Sequence, residues 1–185
     1  MTTIFPTCTE ISFPKFTDHR GSFRTLWKYD SEKNAPVFIQ DNLVHSGKEG
    51  TLRGLHFQTP PFAQGKFITV LKGGILDVVV DIRKNSPDYG RVQSKIINQH
   101  NHFGLFIPKG FAHGYITTEN DTLVLYKVDA AYSPQSERGI LWNDRILNID
   151  WGIGVNRSII VSERDQKWPE FSNFHTPFTQ ESNGE

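Results

Sequence analysis

Short apolar runs with a period of two recur along the chain, and turn-forming residues separate them at short intervals. The turn signals are the segments DHRGSF, HSGKEG, QTPPFAQG, LKGG, NSPDYG, IPKGFAHG and YSPQSERG. Such spacing is typical of an antiparallel β-sandwich or barrel, and it disfavours an alternation of strands with helices. Fourteen Phe, five Tyr and four Trp also favour a packed sheet protein over a helical bundle.

The clearest predicted hairpin is KFITVLKGGILDVVVDIR, which turns at Lys72-Gly73-Gly74. The second arm of this hairpin alternates between two sets of side chains. One face carries Leu76, Val78, Val80 and Ile82, and the other carries Asp77, Val79, Asp81 and Arg83. A face with two aspartates in so apolar a strand either points to solvent, which the pattern favours, or lines a polar cavity.

Further strands are predicted at 37–43, 93–97, 104–107, 115–118 and 122–128. The segment NRSIIVSERDQKWPEF predicts a last short strand and then a loop that starts a helical turn. Residues from about Asn173 onward are polar and aperiodic, which predicts a surface tail. No internal boundary is visible, so residues 1–185 are expected to form one domain.

Charge and cysteine content narrow the function classes. Lys+Arg and Asp+Glu both total 20, which disfavours a general nucleic-acid binder. Cys8 is the only cysteine, so neither a disulfide framework nor a thiolate metal cluster is expected. No signal peptide and no run of roughly 18 apolar residues is present, so we expect a cytoplasmic protein with no membrane partner.

Histidines near glycines raise the possibility of a metal site. His56 and His113 both lie in β-rich segments, and neutral imidazole is a common metal ligand. Metal-binding cupin barrels, however, usually bring two histidines one residue apart beside a carboxylate, and HFQ at His56 lacks this pattern. His100 and His102 do form an H-x-H pair, but their surroundings indicate a polar turn. We therefore expect no metal.

Proton transfer next to a carbonyl is the competing interpretation. It needs a base within hydrogen-bond reach and a group that stabilises the enolate. His56 suits the base because histidine titrates near neutral pH, and Lys66 suits the enolate. A tyrosine on the opposite side would return a proton, and the residues alone leave Tyr126 and Tyr132 as alternatives, each also explicable as an ordinary sheet aromatic.

Arginine side chains are the candidates for binding an anion. Arg20, Arg53 and Arg83 each offer a planar fork that suits phosphate. Neither a Walker loop nor a G-x-G-x-x-G motif is present, so phosphate binding would depend on side chains. A single arginine is more often an ion-pair partner, and Asp77, Asp81 and Glu137 are available carboxylates.

The spacing within TLRGLHFQTPPFAQGK presents a conflict. Arg53 and His56 are three residues apart, so strict alternation places them on opposite faces of a strand. Both can reach one site only if the strand bulges or bends, and Gly54 is the residue that permits it. The turn at Pro60-Pro61 would then bring Lys66 back toward the same site.

These segments together resemble the dTDP-4-dehydrorhamnose 3,5-epimerase family. The matching motifs are DHRGSF, QDN, LRGLHFQTPPFAQGK, GGILDVVVDIRKNSPDYG, IPKGFAHGY, LYK, YSPQSERGILWND and SERD, in the family's order. The resemblance implies a cupin-like antiparallel β-sandwich or jelly roll with short peripheral helical segments. It also implies a homodimer without metal or organic cofactor, acting on a nucleotide-diphosphate 4-keto sugar.

The same resemblance assigns roles to individual residues. It makes His56 the base, Asp165 its carboxylate partner, Lys66 the group that holds the enolate and Tyr126 the acid. The implied substrate-binding residues are Arg20, Gln40, Asn42, Arg53, Asp77, His113, Tyr132 and Arg164.

Two departures from the family pattern leave alternatives open. Ala131-Tyr132 supplies one aromatic residue before the SP dipeptide where two are usual, and this stretch borders the sugar pocket. Arg164 stands where lysine is usual, which keeps the charge but changes the geometry. An epimerase that inverts one carbon, or that acts on a 4-keto heptose or another nucleotide, is therefore an alternative. A non-catalytic or metal-dependent cupin is a more distant one.

Overall fold

A computed structural model describes residues 8–30, 35–152 and 158–179 of the protein, and in it two large sheets stack face to face. The sheets are antiparallel except at one short added strand. These stacked sheets confirm the predicted antiparallel β-sandwich. Within the described ranges, no helix is long and apolar enough to cross a membrane.

The first sheet has five strands. In spatial order they are β1 (Thr9–Ser12), β10 (Phe103–Ile107), β6 (Lys66–Lys72), β12 (Thr122–Val128) and β4 (Gln40–Ser46). The predicted strand at 37–43 begins and ends three residues later than expected, because β4 pairs along its whole length with β12, from Gln40 opposite Val128 to Ser46 opposite Thr122.

The second sheet has six strands. In spatial order they are β13 (Glu137–Gly139), β5 (Thr51–Gln58), β11 (Phe111–Thr117), β7 (Gly74–Asp81) and β9 (Val92–Asn98), with β14 (Ile160–Val161) added in parallel to β5. Strands β6 and β7 follow each other across Gly73 as predicted, but β6 pairs with β10 and β12 in one sheet and β7 pairs with β9 and β11 in the other, so the predicted hairpin is wrong. The turn at Gly73 therefore connects the two layers.

The remaining elements are short. Strands β2 (Lys15–Asp18) and β3 (Gly21–Arg24) form a separate hairpin, and β8 (Arg83–Lys84) pairs in parallel with β15 (Phe178–Thr179). Two 3-10 turns cover Asp165–Lys167 and Phe171–Asn173. The predicted last strand and helical turn therefore correspond to β14 and the first 3-10 turn.

Both faces of β7 are buried, which corrects the expectation that its aspartates face solvent. Val78 and Val80 pack in a cluster beneath the segment that follows β13, whereas Val79 packs between the sheets. Asp77 and Asp81 lie on the inter-sheet face and are also buried. Asp81 accepts hydrogen bonds from Arg83 and Ser86. These two side chains, rather than solvent water, therefore satisfy the buried carboxylate.

The end of the chain also departs from the expected surface tail. Phe174 and Phe178 make edge-on ring contacts with Phe57, with centroids 5.5 Å and 6.0 Å away. These isolated aromatics cover the outer face of the second sheet, although the segment around them is polar. Residues 180–185 of the predicted tail lie outside the described residues.

Candidate active site

A cavity of about 770 Å³ opens between the two sheets. Ten of the twelve predicted site residues line it: Gln40, Asn42, Arg53, His56, Lys66, His113, Tyr126, Tyr132, Arg164 and Asp165. The volume is in the range of ligand-binding pockets. Segments that are far apart in the sequence therefore converge on one chamber.

Each sheet contributes a different chemistry to the cavity. Strands β5 and β11 of the second sheet supply Arg53, His56 and His113. Strands β6 and β12 of the first sheet supply Lys66 and Tyr126. The histidines and the pair formed by Lys66 and Tyr126 therefore lie on walls that belong to opposite layers of the sandwich.

A β-bulge at Gly54 brings Arg53 and His56 to the same cavity. His56 pairs with His113 and Arg53 pairs with Tyr115, so two residues of β5 oppose the single residue Gly114 of β11. Gly54 has a φ of 132°, and a Cβ there would lie 2.5 Å from the Cα of Gly114. Only glycine fits this backbone, so the predicted bulge is confirmed.

His56 is held by Asp165. The Nε2 atom of His56 lies 2.7 Å from the Oδ1 atom of Asp165, and the backbone N–H of Gly54 donates to Oδ2 at 3.3 Å. Burial of Asp165 opposes ionisation, but the hydrogen bonds from His56 and Gly54 outweigh it and lower the pKa of this carboxyl. An ionised Asp165 fixes the His56 ring and leaves Nδ1 as the nitrogen available to a substrate.

A second histidine–carboxylate pair lies next to the first. The Nε2 atom of His113 lies 2.7 Å from the Oδ2 atom of Asp77. His113 lines the cavity, but the expectation that Asp77 also lines it is wrong. The buried carboxylate lies behind His113 and orients its ring.

Lys66 occupies a desolvated position in the opposite wall. Burial lowers the pKa of Lys66 to about 8, although the negative charges of Glu137 and Asp77 act in the other direction. No ion pair of Lys66 is formed among the described residues. Its ammonium is therefore available to a negative charge on a bound molecule.

The structure distinguishes the two candidate tyrosines. Tyr126 packs against the core between the sheets, where burial raises the pKa of its phenol. Tyr132 is 52% exposed and donates a hydrogen bond to Glu137 at 2.7 Å. Because Tyr126 faces His56 across the cavity and keeps its proton, it suits the acid better.

Comparison with known proteins places this cavity in a family. The profile of dTDP-4-dehydrorhamnose 3,5-epimerase matches residues 2–173 of the chain. The chain belongs to this epimerase family. A dTDP-4-dehydrorhamnose 3,5-epimerase from Sinorhizobium fredii is 40% identical over 167 residues, which cover 89% of this chain and 85% of the relative.

Solved structures of epimerases of this family share the fold. A dTDP-4-dehydrorhamnose 3,5-epimerase from Bacillus anthracis, with TDP and PPi bound, has a TM-score of 0.87 and 40% identity, and the match covers 92% of this chain and 98% of that one. A dTDP-6-deoxy-D-glucose-3,5-epimerase from Legionella pneumophila, in complex with dTDP-4-keto-L-rhamnose, has a TM-score of 0.90 and 32% identity, covering 98% of each chain. The cupin-like fold and the isomerase class implied by the resemblance are confirmed.

Arg20 is the other predicted site residue that does not line the epimerase cavity. It lies at the turn between β2 and β3, where its guanidinium pairs with Asp18 at 2.7 Å. Phe16 and Phe23 on the same hairpin are 65% and 68% exposed. Within one chain, Arg20 is therefore a surface residue.

Sequence reasoning missed the role of Glu137 in the cavity. It was recognised only as a possible ion-pair partner, yet its Oε2 atom accepts hydrogen bonds at 2.7 Å from both Tyr132 and Arg164. These contacts connect two predicted substrate-binding residues at the rim. Glu137 belongs to the segment YSPQSERG, which matches a family motif, and this membership was the sequence signal for it.

Proposed function

We propose that the protein inverts C3 and C5 of a dTDP-linked 4-keto-6-deoxy sugar by proton transfer. The observation that carries the proposal is the division of the cavity, with the His56–Asp165 pair on one wall and Lys66 and Tyr126 on the other. Inversion requires that one group removes a proton and another adds one from the opposite face. The two layers of the sandwich supply such a pair.

In the proposed first step, Nδ1 of His56 removes the proton from the carbon next to the ketone. The electron pair moves to the C4 oxygen and forms an enolate, while Asp165 stabilises the imidazolium. The ammonium of Lys66 then holds the negative oxygen. No metal or organic cofactor is needed in this proposal, because the ketone already acidifies both neighbouring carbons.

In the second step, the phenol of Tyr126 gives its proton to the opposite face of the same carbon. His56 loses its proton and Tyr126 regains one before the sequence repeats at the second carbon. A general acid or base of this kind typically contributes ~10²–10⁴-fold. Arg53, Gln40, Asn42 and Arg164 are proposed to bind the nucleotide and its diphosphate, and this remote binding holds the ring between the walls.

The rate is expected to depend on the charge of Lys66. Because its pKa is about 8, the ammonium is present below that pH and is lost above it. We expect kcat/KM to fall by up to about tenfold per pH unit above pH 8, since the enolate then loses its cation. Measuring kcat/KM from pH 6 to pH 10 tests this, and Tyr126 does not interfere because burial raises its pKa.

The matched variant for this profile is Lys66→Arg. Arginine keeps its charge throughout this range, so the variant should be slower but should lack the decline above pH 8. An unchanged decline in Lys66→Arg would assign the titration to another group.

We also propose that the functional unit is a cytoplasmic homodimer in which the β2–β3 hairpin reaches the partner's cavity. The hairpin exposes two phenylalanines beside Arg20, and Leu43 on the edge strand β4 is also exposed. A second copy of the chain would cover this apolar surface. Arg20 would then bind the diphosphate in the other subunit. The single buried thiol, Cys8, suits a reducing compartment.

Mixing two inactive variants tests the shared site. Arg20→Ala and His56→Asn are each expected to be severely impaired alone at low substrate concentration. After subunit exchange, a mixed dimer has one complete site, so activity should recover to about a quarter of wild type because half of the dimers are mixed. No recovery, with mixed dimers verified by mass spectrometry, would place Arg20 outside the partner's site.

Incubation with candidate sugars tests the substrate. We expect dTDP-4-dehydro-6-deoxy-D-glucose to give the 4-keto-L-rhamnose product by NMR, and the corresponding UDP sugar to react more slowly. Inversion at one carbon only would indicate a monoepimerase. Tight binding without any exchange would indicate a binding protein, and loss of activity on chelation would indicate a metal-dependent cupin.

A further inference from the structure

Tyr115 has a buried hydroxyl group that the proposed mechanism does not use. The residue lies on β11, lines the epimerase cavity and is only 5% exposed. Its hydroxyl makes no well-formed hydrogen bond among the described residues, although the Arg53 side chain lies close enough to interact with it. Buried polar groups are almost always hydrogen-bonded, so a hydroxyl without a well-formed hydrogen bond in the wall of a substrate cavity indicates a contact that is completed when the site is occupied.

The position of Tyr115 in the sheet identifies its neighbours. Arg53 on β5 and Asp77 on β7 are its direct partners on either side, so the three side chains form one row across adjacent strands. Residues directly opposite in antiparallel strands share a face. Asp77 already holds His113. Tyr115 thus separates this carboxylate from the guanidinium of Arg53.

Arg53 differs from the other arginines around the site. Arg83 is held by Asp81 and Arg164 by Glu137, whereas Arg53 forms no ion pair within the described part of the chain. Two neutral phenols, those of Tyr115 and Tyr126, lie near enough to feel its charge. Burial raises the pKa of Tyr115, while the positive charge of Arg53 and its hydrogen-bonding interaction with the phenol oppose the rise, so the hydroxyl keeps its proton. A neutral acceptor can orient a guanidinium without neutralising it.

We propose that Tyr115 is a positioning residue for Arg53. When a nucleotide sugar is bound, the guanidinium of Arg53 donates a hydrogen bond to the Tyr115 hydroxyl oxygen, and this bond fixes the plane in which Arg53 meets the diphosphate. The identity of the anion rests on the proposed function. The row from Arg53 to Asp77 supplies the geometry, because it places Tyr115 directly beside Arg53 on the same face.

Tyr115→Phe tests the proposal because it removes only the hydroxyl group. We expect the Kd for dTDP and the KM for the 4-keto sugar nucleotide each to rise about tenfold, as for loss of a hydrogen bond to a charged group. The kcat should change by less than about threefold, because the groups that move protons are intact. The Tm should stay the same or rise, since the hydroxyl makes no well-formed hydrogen bond in the free protein.

A double-mutant cycle shows whether the effect passes through Arg53. In an Arg53→Ala background, Tyr115→Phe should change the Kd for dTDP less than twofold. Tyr89→Phe is the matched control, because Tyr89 is half-exposed and lies outside the cavity, and it should leave Kd, KM and kcat unchanged.

Three results would overturn the positioning role. They are an unchanged Kd in Tyr115→Phe, an equal rise in Kd with and without Arg53, and a lower Tm without any change in KM. The proposed function is checked separately by epimerisation in the wild type. A wild type that binds dTDP but does not epimerise would refute the function and would leave the comparison of Kd values as a valid test of Tyr115.

Discussion

His56→Asn is expected to abolish solvent deuterium incorporation at both C3 and C5. Asparagine is close in size and polarity, but it cannot accept the proton that Nδ1 takes. Without the base, kcat/KM should fall by about 10³-fold or more, toward the upper end of general-base contributions. The measurement is the NMR spectrum of the sugar after incubation in deuterated water with equal amounts of each enzyme.

The matched control is His45→Asn, since His45 is an exposed histidine outside the cavity that contacts Asp121. This variant should exchange deuterium as wild type does. Binding of dTDP should be nearly unchanged in both variants, because the loss concerns proton transfer. Full exchange in His56→Asn would require a different base.

Tyr126→Phe is expected to separate proton removal from inversion. His56 still forms the enolate and can return a deuteron to the face from which the proton left, so exchange continues with retention. Formation of the inverted product should fall by about 10²–10³-fold, because the acid on the opposite wall is missing. The two rates are read from one reaction, as loss of the C3 and C5 proton signals and as appearance of product.

Tyr132→Phe distinguishes the two tyrosines. Tyr132 is held by Glu137 at the rim, so its phenylalanine variant should lose affinity more than inversion. If Tyr132→Phe instead stops inversion while Tyr126→Phe inverts normally, the acid is Tyr132. If neither variant exchanges deuterium, both tyrosines act before the enolate forms.

Local rules predicted the strands and the bulge because both depend on neighbouring residues. The period of two located the strands β6 and β7, although not their partners, and the conflict between Arg53 and His56 located the irregularity at Gly54. The face of Asp77 was predicted wrongly for the opposite reason. Whether a strand is covered on one side or both depends on distant segments, here the chain after β13 and the phenylalanines near the end.

The site was predicted through the family resemblance, and the structure adds what motifs do not contain. The motifs identified His56, Lys66 and Tyr126, but the opposition of the two walls follows from the assignment of β5 and β6 to different sheets. The hydroxyl of Tyr115 carries no sequence signal, because its meaning lies in the lack of a well-formed hydrogen bond within the described residues. Arg20 was expected in the site, but it lies on the β2–β3 hairpin, away from the cavity of its own chain.

Deuterium counting in the product of the wild-type reaction tests the central claim most directly. dTDP-4-dehydro-6-deoxy-D-glucose is incubated with the enzyme in deuterated water, and the inverted product is examined by NMR and mass spectrometry. Proton transfer from solvent-equilibrated residues on two walls predicts two deuterons, one at C3 and one at C5. An inverted product that contains no solvent deuterium would contradict the account.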